Sequence, residues 1–99
     1  MITVMGYIHV DPDVANELLA DVKALNPSST ADNGCLFYAI ALDCALTGRM
    51  LIAERWLDQR SLTTHLKAQK TLAFLEKWAK RLKTDVLKYD STNERSLAD

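Results

Sequence analysis

Over residues 2–10 apolar and polar side chains alternate with period two. Ile2, Val4, Gly6, Ile8 and Val10 fall on one side and Thr3, Met5, Tyr7 and His9 on the other, the pattern of a β-strand. Asp11-Pro12 stops it, with Asp11 placed as a helix cap and Pro12 at the first helical position, where its missing N–H costs nothing. Val14, Leu18, Val22 and Leu25, joined by Leu19, then recur at three- and four-residue spacing and predict an amphipathic helix. Asn26-Pro27-Ser28-Ser29-Thr30 ends that helix, and Asp32-Asn33-Gly34 reads as a turn. Cys35–Leu42 is a second strand and Met50–Leu57 a third; the Gly48-containing connection Ala45–Arg49 makes them an antiparallel hairpin. Asp58 caps a second helical stretch with Leu62, His65 and Leu66 on one side. Helix resumes or continues from about Lys70, where Leu72, Leu75, Trp78, Ala79 and Leu82 form the stripe. Thr84–Tyr89 is the last strand, with Val86 on one face and Leu87 and Tyr89 on the other.

The order β-α-β-β-α-β predicts an α+β fold of ferredoxin-like plan: a four-stranded antiparallel sheet with its helices on one face. The strands, however, are apolar on both faces. In the second, Leu36, Tyr38, Ile40 and Leu42 oppose Cys35, Phe37, Ala39 and Ala41; in the third, Leu51, Ala53 and Leu57 oppose Met50, Ile52 and Trp56. A sheet with one solvated face carries polar residues at every second position. Helices cover one face here, so the other calls for a second copy packed sheet to sheet, and a homodimer is expected.

Ninety-nine residues make one domain with one modest core, taken as residues 1–90, followed by a polar tail over 91–99. Hydrophobic content of 48% with 25% charged residues is ordinary globular composition and excludes a disordered chain. A net charge of −1 argues against a nucleic-acid partner held by phosphate neutralisation. No apolar run is long enough to span a membrane, and the first residues lack the basic segment of a signal peptide, so a cytoplasmic protein is expected. Cys35 and Cys44 read as reduced thiols, and His9 and His65 fall at no zinc spacing, so no metal is expected.

Four stretches, in order, resemble the antibiotic-biosynthesis monooxygenase-like domains, a family of small dimeric α/β barrels. They are Ile2-Thr3-Val4 leading to Val10-Asp11-Pro12; Gly34-Cys35-Leu36-Phe37-Tyr38; Glu54-Arg55-Trp56-Leu57-Asp58; and Leu62 and His65, with Phe74 beyond. The resemblance runs from Ile2 to about Tyr89. It implies two protomers pressing their sheets together and, in each, a cleft between sheet and helices. Members similar to this chain oxidise phenols, quinols or polycyclic aromatics with molecular oxygen and no cofactor; others degrade haem, isomerise or bind small molecules. A fold of this kind does not fix its chemistry.

On that resemblance His65 is the candidate base, an imidazole able to take the proton of a phenol near neutral pH and raise its electron density for transfer to oxygen. The bland reading is a core histidine bonded to backbone. Glu54, in mid-strand among apolar neighbours on the face of Ile52 and Trp56, is costly unless paired. It is either half of an ion pair, with Arg49, Arg60 or an arginine of a second copy, or a group that orients His65 or relays its proton. Trp56 and Tyr38 are candidate substrate-binding residues, one as an aromatic wall and the other as a hydrogen-bonding phenol, with Ile52 and Phe74 lining the same cleft; plain packing explains Trp56 and Tyr38 equally well, and the helical spacing of Phe74 reads first as core. Trp78 is expected in the core, and Tyr7 and His9 on the dimer face. The position where many members have a second histidine is Lys70, and Leu72 to Leu82 holds no histidine to ligate haem. The strand asparagine of some oxygen-using members is absent as well, since Asn16, Asn26, Asn33 and Asn93 fall outside the strands. The expected function is cofactor-independent oxidation of a small aromatic, phenol or quinol. The alternatives are a non-catalytic binding dimer and an isomerase using Glu54 and His65 as an acid–base pair.

Overall fold

The computed structural model describes residues 1–26 and 33–99. Asp11 caps as the sequence indicates: its Oδ1 accepts from the Asp13 N–H at 2.9 Å, with Pro12 opening a short 3-10 turn, Pro12–Val14, after strand β1 (Ile2–His9). Helix α1 (Ala15–Lys23) follows and buries Ala15, Leu18 and Val22. The breaker expected at Pro27–Thr30, and Asp32 of the expected turn, lie outside the described residues. Strands β2 (Cys35–Cys44) and β3 (Arg49–Trp56) form the hairpin through the turn at residues 45–48. Gly48 occupies it with φ +74°, and a side chain there would strike the Val10 carbonyl oxygen. Asp58 caps α2 (Gln59–Lys67), its Oδ1 accepting from the Ser61 N–H at 2.8 Å. Then come α3 (Gln69–Trp78) and β4 (Lys83–Asp90).

The sheet runs β2-β3-β1-β4 with every neighbouring pair antiparallel, as the ferredoxin-like plan requires. Helices cover one face, α1 against β2 and α2 against β3. The core on that side falls into two clusters. Ile8, Leu18, Val22, Met50, Ile52 and Trp78 lie toward one end, and Ile2, Val4, Cys35, Trp56 and Leu62 toward the other; Tyr38 and Val86 touch both. The opposite face carries Met5, Phe37, Leu51, Leu87 and Tyr89, each 41–60% exposed. No helix of the described residues is long and apolar enough to cross a membrane.

Two sequence expectations are corrected, the face of Cys35 and the inward stripe of α3. Cys35 lies not with Phe37 but on the helix side, 2% exposed in the core, because a bulge between Cys35 and Phe37 inserts Leu36 and reverses the alternation before it. Of the two readings left open after α2, the helix resumes rather than continues: Ala68 leaves the helical region with ψ 146°, and the hydroxyl of Thr71 donates to the His65 carbonyl at 2.7 Å. That break rotates α3, so Thr71, Phe74 and Trp78 turn inward while Leu72 is 53% and Leu75 44% exposed. Trp78 is fully buried, as expected. Its indole N–H donates to Asp21 at 2.8 Å, and Lys77 bridges Asp21 and Glu17, which fastens α3 to α1. Cys35 and Cys44 form no disulfide.

Candidate functional site

Where the two core clusters meet without merging, a cleft of about 340 Å³ opens between the sheet and helices α2 and α3. Its floor is the helix-facing side of the sheet. Its apolar lining includes Val4, Ile8, Ile52, Leu62, Phe74 and Val86, and its polar groups are Tyr38, Glu54, His65, Thr71, Thr84 and Lys88. Five of the six residues selected from the sequence therefore converge here: His65, Glu54, Tyr38, Ile52 and Phe74. The sixth, Trp56, is 1% exposed and lies behind the lining. As the last residue of β3, it is covered by α2, and the imidazole of His65 stands between it and the cleft.

His65 is set by two rings. Its imidazole lies against the Trp56 indole, with centroids 4.8 Å apart and planes tilted by 34°, and meets Tyr38 edge-on at 5.9 Å and 70°. Half-burial holds its pKa below the ordinary imidazole value, so the ring is neutral at pH 7 and free to accept a proton.

Glu54 is 7% exposed and makes none of the ion pairs among the described residues. The pairing with Arg49 considered from sequence is replaced: Arg49 bonds Asp43 and lies over the Tyr7 ring at 4.6 Å, on the far side of the sheet. Glu54 instead accepts the indole N–H of Trp56 at 2.8 Å, two residues along the same strand and on the same face. Burial pushes its carboxyl pKa up, and the indole N–H restrains the rise. Tyr38 is raised well above the usual phenol value, first by burial and then by the charges of Glu54 and Cys35. It therefore stays a protonated hydroxyl, and its contact with the Val22 carbonyl, 3.5 Å, is long enough to leave it available to a ligand.

Trp56, Glu54, His65 and Tyr38 thus form one connected set: a carboxylate holds an indole, the indole backs a neutral imidazole, and a phenol closes the side. A basic group, a hydroxyl donor and an apolar bed suit a planar molecule carrying a hydroxyl. Among the described residues no cluster of three or more His, Cys, Asp or Glu side chains is arranged to hold a metal ion. A second hollow lies at the sheet's end among Met1, Thr3, Arg55 and the tail residues Ser91–Arg95, away from the residues selected from the sequence.

Sequence reasoning missed Thr71, Thr84 and Lys88. The signal for the last two is present, since both share the period-two face of Val86, opposite Leu87 and Tyr89. Thr71 carried none, because its inward turn follows from the break at Ala68.

A family model described as antibiotic biosynthesis monooxygenase matches residues 1–77. Among solved structures, a Deinococcus radiodurans protein provisionally named an antibiotic biosynthesis monooxygenase superposes with a TM-score of 0.82 at 18% identity, over 98% of each chain. A Mycobacterium tuberculosis protein gives 0.79 at 22% identity, over 96% of this chain and 98% of that one. A conserved Methanosarcina mazei protein gives 0.76 at 20%, over 92% of each. At such identities these likenesses establish the shared fold. The comparison with curated proteins gives no match.

Proposed function

The chain belongs to the antibiotic biosynthesis monooxygenase family, and from that premise we propose that it is a cofactor-independent monooxygenase acting on a small phenol or quinol. The observation that carries the reading is the neutral, half-buried imidazole of His65, backed by Trp56 and flanked by Tyr38 at the wall of an apolar cleft.

His65 accepts the proton of the substrate hydroxyl, leaving an electron-rich phenolate. An electron passes from phenolate to molecular oxygen, the radicals combine at a ring carbon, and loss of water leaves a quinone. For a hydroquinone one oxygen atom enters the ring, the other departs as water with two hydrogens from the substrate, and the substrate supplies every electron. Tyr38 donates to the substrate oxygen, Ile52 and Phe74 bed the ring, and Glu54 acts through Trp56 to hold His65 in place. Neutral imidazole is needed for the first step, so turnover falls as pH drops through the depressed pKa of His65.

The far face of the sheet supports a homodimer built sheet to sheet. Its exposed centre of Met5, Leu51 and Leu87 is bordered by Arg49 with Asp43 at one end and Arg55 with Glu94 at the other, an apolar middle within a polar rim. Residues 1–90 form the functional domain in this reading, and the tail, fastened by the Arg55–Glu94 pair at 2.9 Å, lies along the edge of that face.

The test is oxygen uptake by chelator-treated protein against a panel of hydroquinones and polyphenols, with His65→Ala alongside. Uptake by the wild type that falls about a hundredfold or more in the variant, with circular dichroism unchanged, is expected. Saturable binding of the same aromatics without uptake would replace oxidation with ligand binding; conversion without uptake would point to isomerisation.

A further inference from the structure

Strand register places four side chains in one row across the cleft floor. Tyr38 pairs with Glu54, Glu54 with Val4, and Val4 with Lys88, so the row reads phenol, carboxyl, apolar spacer, ammonium. All four line the cleft. The next row on the same face, Ile40, Ile52, Gly6 and Val86, is apolar throughout. The row is thus a polar track across the floor, with a proton-handling end under His65 and a cationic end at the edge strand.

Lys88 is exposed at the mouth, and its Nζ donates to the Gln59 side-chain carbonyl at 2.8 Å. An ammonium has three N–H donors, so two remain. Gln59 is neutral, and among the described residues no carboxylate forms an ion pair with Lys88. An inward-pointing lysine also guards an edge strand against pairing, a role that needs neither a fixed partner nor a cleft. This one is oriented by α2 over a ligand-sized opening.

We propose that Lys88 makes the cleft selective for hydroxylated aromatics that carry an anionic group, a carboxylate foremost, across the ring from the hydroxyl presented to His65 and Glu54. The inference rests on the reading of this cleft as the substrate site. Two strand spacings, about 9–10 Å, separate the Glu54 and Lys88 backbones, which one aromatic ring with para substituents and a hydrogen bond at each end can bridge. The carboxylate receives charge-assisted hydrogen bonds from Lys88 at the wet mouth, while its uncharged ring lies on Val4 and the apolar row.

The probes are 4-hydroxybenzoate and its methyl ester, titrated calorimetrically at pH 7.5 and low salt into the wild type, Lys88→Met and Lys88→Arg. The ester is the more hydrophobic of the two, so an apolar cleft without an anion contact prefers it. The expected result is that the acid binds about tenfold more tightly than the ester to the wild type. Lys88→Met should reverse that preference with ester affinity retained, and Lys88→Arg should keep it. Equal binding, a preference for the ester, a preference for the acid that survives Lys88→Met, or no binding of either probe would overturn the proposal. Acid preference without oxygen uptake on any substrate would leave the selectivity standing and remove the oxidation. Loss of the preference alongside His65-dependent uptake would do the reverse.

Discussion

Glu54 and His65 are driven in opposite directions by the same cause, burial, and their stability signatures differ accordingly. The carboxyl pKa of Glu54 is raised in the folded state, so the folded chain binds more protons than the unfolded one between the ordinary carboxyl range and that higher value. Stability attached to Glu54 is therefore greatest at low pH and is lost as pH rises through this window. Glu54→Gln keeps an oxygen to accept the Trp56 indole N–H and removes the charge. Its thermal midpoint should exceed that of the wild type by a few degrees at pH 8, and the gap should close toward pH 4. A lower midpoint at pH 8 would mean that the charge itself is held by groups other than the indole. His65, with its pKa depressed, contributes the reverse slope: stability falls as pH drops below about 6.5, where the unfolded imidazole takes a proton that the folded one resists. His65→Ala should flatten thermal melts across pH 5–7. That Glu54 is unusual was legible from its apolar neighbours, and that it shares a face with Trp56 followed from period two. Its actual partner was not, because whether two side chains on one face bond each other or reach across depends on rotamers that spacing leaves open.

Element order and type were legible because long periodic stretches and explicit caps specify them, and the strand ends fall within about two residues of the expected ones. What escaped were one-residue events. The Leu36 bulge has no Gly or Pro to announce it, yet it moves Cys35 from the far face into the core. The kink at Ala68 likewise has no breaker residue, and it decides which side of α3 lines the cleft. Gly6 is the opposite case, a glycine whose reason is steric: a Cβ there would collide with the Asp85 carbonyl oxygen of the neighbouring strand. Gly6→Ala should force β1 and β4 apart and cost about 2 kcal/mol or more, read as a shift of the urea midpoint. Asp58→Ala, which removes the acceptor for the Ser61 N–H at the start of the helix carrying His65, should cost about 1 kcal/mol. A midpoint shift in Gly6→Ala no larger than that of Asp58→Ala would contradict the close approach of the two strands.

The molecule is a slab of 41 × 34 × 19 Å, one sheet and one layer of helices thick. Its accessible surface, 6830 Å², exceeds the roughly 5,600 Å² expected for a compact monomer of this mass, and the apolar residues of the far face are among those left exposed. This is the physical sense of strands that are apolar on both sides, a pattern readable in the sequence itself. The proposed dimer should sediment at twice the chain mass at micromolar concentration. Leu51→Asp, at the centre of that face and 41% exposed in the single chain, should shift it to monomer without unfolding it. Wild-type protein that sediments as a monomer would refute the sheet-to-sheet assembly while leaving the cleft, which lies on the opposite face, untouched.

The central claim is that His65 initiates transfer of one atom of molecular oxygen to a bound phenol, and isotopic labelling addresses it most directly. Chelator-treated protein would be given a hydroquinone that it turns over, under oxygen-18 gas, with the product reduced at once to prevent exchange and weighed by mass spectrometry. The account predicts a product carrying a single heavy oxygen atom, formed by the wild type and suppressed in His65→Ala. A product without label, or labelled product formed equally well by the variant, would contradict it.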